Sequence, residues 1–295
     1  MGVPRVSVLM TIYNAAPFLA ESVQSLIDQS FRDWELVAIE NGSRDGSAAI
    51  LRGFREPRIH ATWLAANIGR TAALRQAFSQ ARGEYIAVLD ADDVAQRERL
   101  GKQVSYLDAH PEVVLLGTWA CYIDAGGAVI DQWSPPTEPE AILNAMGNCN
   151  PIVHSSSMYR ADVAREVDGY PLDKPYAQDY ALWLKLAGRG SLAVLAERLC
   201  SFRVLPGGMT QAATHRVEVA RDLLNATIEA GRQLTLGREG RRRNREEIAI
   251  ARVRYAAALA RSRRMLDGAA AVCRAIASDP VSLFNNRITR GFFSG

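Results

Sequence analysis

The chain predicts an α/β fold on a mostly parallel sheet. Three observations carry that expectation: short apolar runs rich in β-branched residues, helix-period segments after them, and turn residues at the junctions between the two. Strands and helices alternating at such short intervals imply right-handed crossovers, which lay successive strands side by side in parallel.

Taken in order, VSVLMTI at 6–12 reads as a strand buried on both faces. Residues 16–30 carry Phe18, Leu19, Val23, Leu26 and Ile27 at helical spacing. WELVAI at 34–39 is a second strand, and Asn41-Gly42-Ser43-Arg44-Asp45-Gly46 is a turn that opens the next helix. Residues 59–63 read as a third strand, 71–81 as a helix closed by Gly83, and YIAVL at 85–89 as a fourth strand ending at Asp90. A helix over 97–110 is stopped by Pro111. The runs 113–123 and 128–133 flank Asp124-Ala125-Gly126-Gly127 and read as a hairpin, followed by an irregular stretch at 135–139. Residues 154–159 suit a strand and 161–167 a helix. Tyr180, Leu182, Trp183 and Leu186 form a stripe over 179–186 that ends at Gly188, which places Trp183 in the core rather than against a ligand. Helices at 248–259 and 265–276 read as an antiparallel pair broken near Asp267-Gly268 and closed by Pro280.

With 48% hydrophobic and 23% charged residues over 295 positions, the chain supports an ordinary globular core, which excludes global disorder. The apolar stretch VVLLGTWACYI at 113–123 is too short to cross a bilayer, and 1–10 lacks a basic leader region, so a cytoplasmic location is expected. Cys121, Cys149, Cys200 and Cys273 form no CxxC pair, so neither a disulfide framework nor a zinc cluster is expected. The net charge of +3 hides a division. Residues 1–215 hold 19 basic and 24 acidic side chains, a net −5, whereas 216–295 hold 16 arginines against 8 acids, a net +8. The expected organisation is a domain over 1–213 and a basic helical extension over 214–295. The basic character, which peaks at Arg241-Arg242-Arg243, fits either a solvated helical face or attraction to an anionic membrane surface. Nucleic acid is not an expected partner, because the extension has no reading motif and few aromatics to stack on bases.

In a parallel α/β sheet, ligands bind at the carboxyl ends of the strands. Thr11, Tyr13 and Asn14 stand after the first strand, Glu40-Asn41-Gly42-Ser43 after the second, and Asp90-Ala91-Asp92-Asp93 after the fourth. Carboxylates crowded at one strand end repel one another unless a cation lies among them. Hard oxygen donors suit Mg2+ or Mn2+, which then needs phosphate oxygens and water to complete six-coordination.

An ordered set of motifs spans roughly 6–210: VSVLMTIYNAAPFLAESVQSLIDQSF, WELVAIENGSRDGS, NIGRTAAL, ARGEYIAVLDADD, RERLGKQVSYLDAHPEVVLLGTW, NPIVHSSSMYR, QDYALWLKLA and FRVLPGGMT. In this order the chain resembles a family 2 nucleotide-sugar glycosyltransferase of the GT-A fold, an inverting enzyme. The resemblance implies that Thr11, Tyr13, Glu40, Asn41, Asn67, Arg70, Asp90 and Ala91 bind the nucleotide, with Gly69 completing the cleft. It implies Asp92 as metal ligand, with Asp90 toward the metal or ribose, and a divalent metal (Mg2+ or Mn2+) as cofactor. Asp179 is implied as the catalytic base, His154 as a residue near acceptor or diphosphate. Asp93 is read as capping the turn that follows.

The chain departs from the family pattern at three places. Glu40-Asn41 replaces two aspartates, so that Asn41 would offer its amide oxygen to a uracil N–H and its NH2 to another base. Gln178 replaces the first acid of a Glu-Asp pair. Leu205 replaces a frequent histidine, which leaves Arg203 to take up phosphate charge. The expected function is metal-dependent transfer of a sugar, read as a hexose from UDP, to a glycan or lipid-linked acceptor in polysaccharide or cell-surface glycan synthesis. Two alternatives are a sugar nucleotidyltransferase and a catalytically silent nucleotide- or glycan-binding module. The first would want a basic, glycine-rich loop after the first strand, and TIYNAAPF at 11–18 has no basic residue.

Overall fold

A computed structural model describes residues 2–205 and 215–262. Its centre is a sheet whose first strands are buried on both faces. β1 (Val6–Ile12) is buried except at Thr11, and all seven residues of β2 (Trp34–Glu40) are buried. β4 (Tyr85–Val88) is equally buried, while β3 (Ile59–Trp63) is half-exposed and lies at the edge. These four run parallel in the order β3-β2-β1-β4. The register aligns Ile12 with Glu40 and Glu40 with Trp63, so that Tyr13, Asn41 and Leu64 leave the sheet together at its carboxyl edge.

Beyond β4 the sheet changes direction. β5 (Val94–Ala95), β6 (Val113–Ile123), β7 (Val129–Trp133), β8 (Met158–Arg160) and β9 (Ser191–Arg203) complete nine strands among the described residues. β8 enters antiparallel between β4 and β6, and β9 runs parallel to β6. The short β5 pairs antiparallel with β9, which brings the Asp90–Asp93 turn against the far end of β9. The hairpin expected at Asp124–Gly127 joins β6 and β7. The expected strand at 154–159 is instead a 3-10 turn over His154–Ser156 followed by β8. β5, β9 and a helix over Pro139–Met146 are elements that the sequence pattern did not announce.

Helices cover the sheet. α1 (Ala16–Ile27) packs Leu19, Val23 and Leu26 onto Val8, Met10 and Ile12 of β1. Its first turn has no cap of its own. Ser47 Oγ and Asp45 Oδ2 accept the N–H groups of Ala15 and Ala16 at 2.9 and 3.0 Å, which satisfies orphan donors from another loop. α2 (Ser47–Gly53), α3 (Arg70–Gln80), α4 (Arg99–Ala109), α5 (Pro139–Met146), α6 (Ala161–Glu166) and α7 (Gln178–Ala187) follow. Trp183 of α7 is fully buried, its ring edge-on to Tyr159 at 5.6 Å, as its stripe predicts.

The chain divides into two compact units, one of residues 1–142 with 151–205, the other of 143–150 with 206–295. In the second, α8 (Arg216–Gln233) and α9 (Arg238–Arg261) form a helical hairpin. Asn244 donates to the carbonyls of Thr227 and Gly147. The two helices approach so closely at Gly231 that a Cβ there would lie 2.2 Å from Asn244 Oδ1. Residues 248–259 fall within α9, which pairs with the preceding helix; the expected partner at 265–276 lies outside the described residues. Among the described residues, no helix is long and apolar enough to cross a membrane.

Candidate active site

Asp90 leaves β4 at the carboxyl edge, and its surroundings fix its charge. Arg70, the first residue of α3, directs Nη2 at both Asp90 oxygens, 2.7 and 2.6 Å away. The same nitrogen is 3.1 Å from His154 Nδ1. A guanidinium only donates, so His154 Nδ1 accepts and Nε2 carries the proton, which it donates to Tyr170 Oη at 3.0 Å. Tyr159 Oη donates to the same oxygen at 3.1 Å. Tyr170 is therefore a site residue that the sequence pattern did not single out; it has no motif of its own. Asp90's backbone is held as well, its N–H donating to Ser155 Oγ and its carbonyl accepting from Ser22 Oγ, each at 3.0 Å.

The electrostatics follow from this packing. Burial opposes ionisation of Asp90, yet the Arg70 guanidinium beside it holds its carboxyl well below the usual carboxylate range. Asp92 moves the other way. Burial and the Asp90 charge raise it to about 6. Asp93 is fully buried and is pushed well above the ordinary value by burial, then by Asp90 and Asp92. Its Oδ1 accepts the backbone N–H of Arg203 at 2.7 Å, so it caps the end of β9, rather than only the turn after β4.

Asp179 sits one residue inside α7, beyond the N-cap Ala177, and accepts the Tyr180 N–H at 2.8 Å. Its charge, with those of Asp90 and Asp92, favours the Arg70 cation. Asp90 is hydrogen-bonded to that guanidinium, with His154 against it. Among the described residues, no group of three or more histidine, cysteine, aspartate or glutamate side chains is placed to hold a metal ion. The donor set still fits a hard divalent cation. A half-buried Asp92 whose ionisation is disfavoured is a carboxylate that a cation would stabilise, and phosphate oxygens would supply the remaining ligands.

The nucleotide side is built by two asparagines. Asn41 is buried; its amide oxygen accepts the Ile68 N–H at 3.0 Å and its Nδ2 donates to Asn67 Oδ1 at 3.1 Å. Asn67 Oδ1 also accepts the Gly69 N–H at 2.7 Å. Gly42, at φ +71°, lets this turn press on the neighbouring loop, because a Cβ there would lie 2.6 Å from the carbonyl carbon of Ala66. Asn41 was expected to turn its amide oxygen to a base N–H. The structure corrects this: that oxygen is engaged by Ile68, and the residue latches the loop at 66–69. Glu40 is likewise turned inward, accepting the N–H groups of Gly42 and Ser43 at 3.2 and 2.8 Å. Thr11 is half-buried at the end of β1, Ala91 is buried, and Tyr13 remains 45% exposed at the mouth of the edge.

Arg203 requires a second correction. It was expected on the phosphate side, but its side chain is only 1% exposed. Nε donates to the Asp92 carbonyl at 2.8 Å, Nη1 to the carbonyls of Asp124 and Ala125 at 2.9 and 3.3 Å, and Nη2 to Glu21 at 2.6 Å. The guanidinium lies 4.7 Å from the centre of the Phe18 ring. Its donors are spent on carbonyls, so it holds the aspartate turn from behind. Arg99 does similar work from α4. Fully buried, it donates to the carbonyls of Val88 and Ser157 at 2.9 Å, a role that nothing in its helical spacing signals.

Comparison with known proteins adds identity to this geometry. The family model described as glycosyl transferase family 2 matches residues 7–168. A putative glycosyltransferase of Bacillus subtilis (strain 168), EpsE, is 34% identical over 192 residues, which cover 63% of this chain and 68% of that protein. The crystal structure of S. aureus TarS 1-349 in complex with UDP-GlcNAc superposes with a TM-score of 0.68 at 19% identity, over 93% of this chain and 83% of the other. The mannosyltransferase PcManGT from Pyrobaculum calidifontis, in complex with GDP-Man and Mn2+, gives 0.62 at 20% identity, over 99% and 84%. Both likenesses establish a GT-A type fold.

Proposed function

The chain belongs to glycosyl transferase family 2, and from that premise we propose that it is an inverting, metal-dependent enzyme that moves a hexose from UDP to a glycan or lipid-linked acceptor in cell-surface polysaccharide synthesis. That it is a glycosyltransferase follows from the family; the donor, the metal and the stereochemistry are our reading. One observation carries this reading: Asp90, two residues before Asp92, stands ionised against Arg70 at the carboxyl edge of the parallel strands.

The residues divide the work as follows. Thr11, Tyr13 and the latched loop at 66–69 hold the nucleoside, and Asp90 and Asp92 face the diphosphate. A bound Mg2+ or Mn2+, as in the Mn2+ complex of the mannosyltransferase, would neutralise the diphosphate and ease departure of the nucleotide. Asp179 takes the proton from the acceptor hydroxyl as its oxygen attacks the anomeric carbon from the side opposite the leaving group. His154, buried against Arg70 and Tyr170, orients the guanidinium rather than meeting the acceptor. Division into a catalytic domain over 1–213 and an extension over 214–295 belongs to the same proposal, with the extension's net +8 favouring contact with an anionic membrane surface.

Asp179→Asn is expected to bind UDP as the wild type does and to lose about 10²–10⁴ in transfer rate. Unchanged turnover in a nucleotide-release assay would remove Asp179 from this role. Titration of UDP, GDP, dTDP and CDP with and without Mn2+, on wild type and Asp92→Ala, tests donor and metal together. A GDP-linked donor is the second reading, prompted by the GDP-Man complex of the similar mannosyltransferase. Liposome sedimentation of the full chain and of residues 1–215 tests the membrane contact, and equal pelleting would count against it.

A further inference from the structure

Arg70 stands where a cation is called for. Its Nη2 is within 2.7 Å of both Asp90 oxygens, and the charges of Asp179 and Asp92 also favour its guanidinium. The pair is not sealed. The Arg70 side chain is 24% exposed and that of Asp90 16%, so solvent and ligands reach both partners. A divalent ion that used Asp90 would have to share its oxygens with a guanidinium already in place, and like charges at that separation repel. The diphosphate of a nucleotide sugar offers a planar guanidinium an equally good partner through two parallel hydrogen bonds.

We propose that Arg70 is a resident counter-ion that is exchanged when donor binds. In the donor-free protein it occupies Asp90, keeps the crowded carboxylates apart from one another electrostatically, and competes with a divalent ion. When the donor enters, Arg70 leaves Asp90 for the diphosphate, which frees the carboxylate for the metal. Arg70 is thus a positioning residue whose two partners are used in turn, with His154 and Tyr170 fixing the resting position. The inference rests on the metal-assisted reading above.

The test uses the full chain and Mn2+ itself, with free Mn2+ followed by electron paramagnetic resonance, in wild type, Arg70→Met and Arg70→Lys. Without nucleotide, Arg70→Met should bind Mn2+ about tenfold tighter than wild type, because a competing charge has gone. In the absence of metal, the same variant should bind UDP about tenfold more weakly. Arg70→Lys, a point charge that cannot make two parallel hydrogen bonds to a diphosphate, should fall between the two in both titrations. It also carries the comparison should the methionine variant fail to unfold cooperatively. Mn2+ affinity unchanged or weakened in the folded variants overturns the exchange. Failure of the metal reading looks different: wild type would take up no Mn2+ even with UDP, or Asp92→Ala would bind it as tightly as wild type, and exchange would fall with it.

Discussion

Two arginines flank the aspartate turn, and their partners set them apart. Arg70 approaches from the nucleotide side and bonds a carboxylate, a group that a metal ion can also use. Arg203 approaches from behind and bonds three carbonyls, with one exposed carboxylate as its only ionic partner. Carbonyl oxygens buried with a guanidinium have nothing to replace it, and removing it leaves them unsatisfied. The contrast teaches that charge is a poor guide to function here. The arginine available for exchange is the one whose partner is an acid at an open cleft; the one committed to backbone is structural, however close it lies to Asp92.

The largest expected effect tests the buried side. Arg203→Met should cost about 3 kcal/mol in urea denaturation, because a buried guanidinium and its bonds to the carbonyls of Asp92, Asp124 and Ala125 are lost, and added Mn2+ should not restore the loss. Arg70→Met should cost about 1 kcal/mol, from crowded carboxylates left without a counter-charge, and Mn2+ should recover it. Equal losses, or equal recovery by the metal, would erase the distinction between the two residues. Tyr170→Phe removes the oxygen that accepts from His154 and Tyr159, and should cost about 1 kcal/mol, since two buried donors lose their partner. The smallest effect belongs to Glu21→Gln. Its side chain is 56% exposed, so loss of its charge should cost under about 1 kcal/mol. A larger loss in the same assay would mean that Arg203 depends on its ion pair rather than on the carbonyls.

Much of this was legible in the residues. β1, β2 and β4 announce themselves because strands buried on both faces are apolar throughout, and the stripe that buries Trp183 follows helical spacing. The family motifs supplied the acids, and the fold sets one of them, Asp90, against Arg70. What stayed hidden depends on neighbours distant in sequence. β9 carries Glu197 and Arg198 in its middle, which breaks any strand pattern, and its pairing with β6 spans a long separation. Arg203 and Arg99 look like ordinary surface arginines until the aspartate turn and the β6–β7 hairpin bring carbonyls to the first, and Val88 of β4 and Ser157 to the second. Asn41 resembles a base-reading residue because its motif position says so, whereas the amide geometry spends it on Ile68 and Asn67.

The β6–β7 hairpin has a practical consequence for anyone who wishes to watch this enzyme. Its tip, Gly126 and Gly127, is exposed, while the two residues before it, Asp124 and Ala125, hand their carbonyls to the guanidinium that grips Asp92. A fluorophore attached at Gly126 is therefore wired to the aspartate turn through a single side chain. It would report rearrangement at the turn as a change in emission, without touching the cleft where ligands enter.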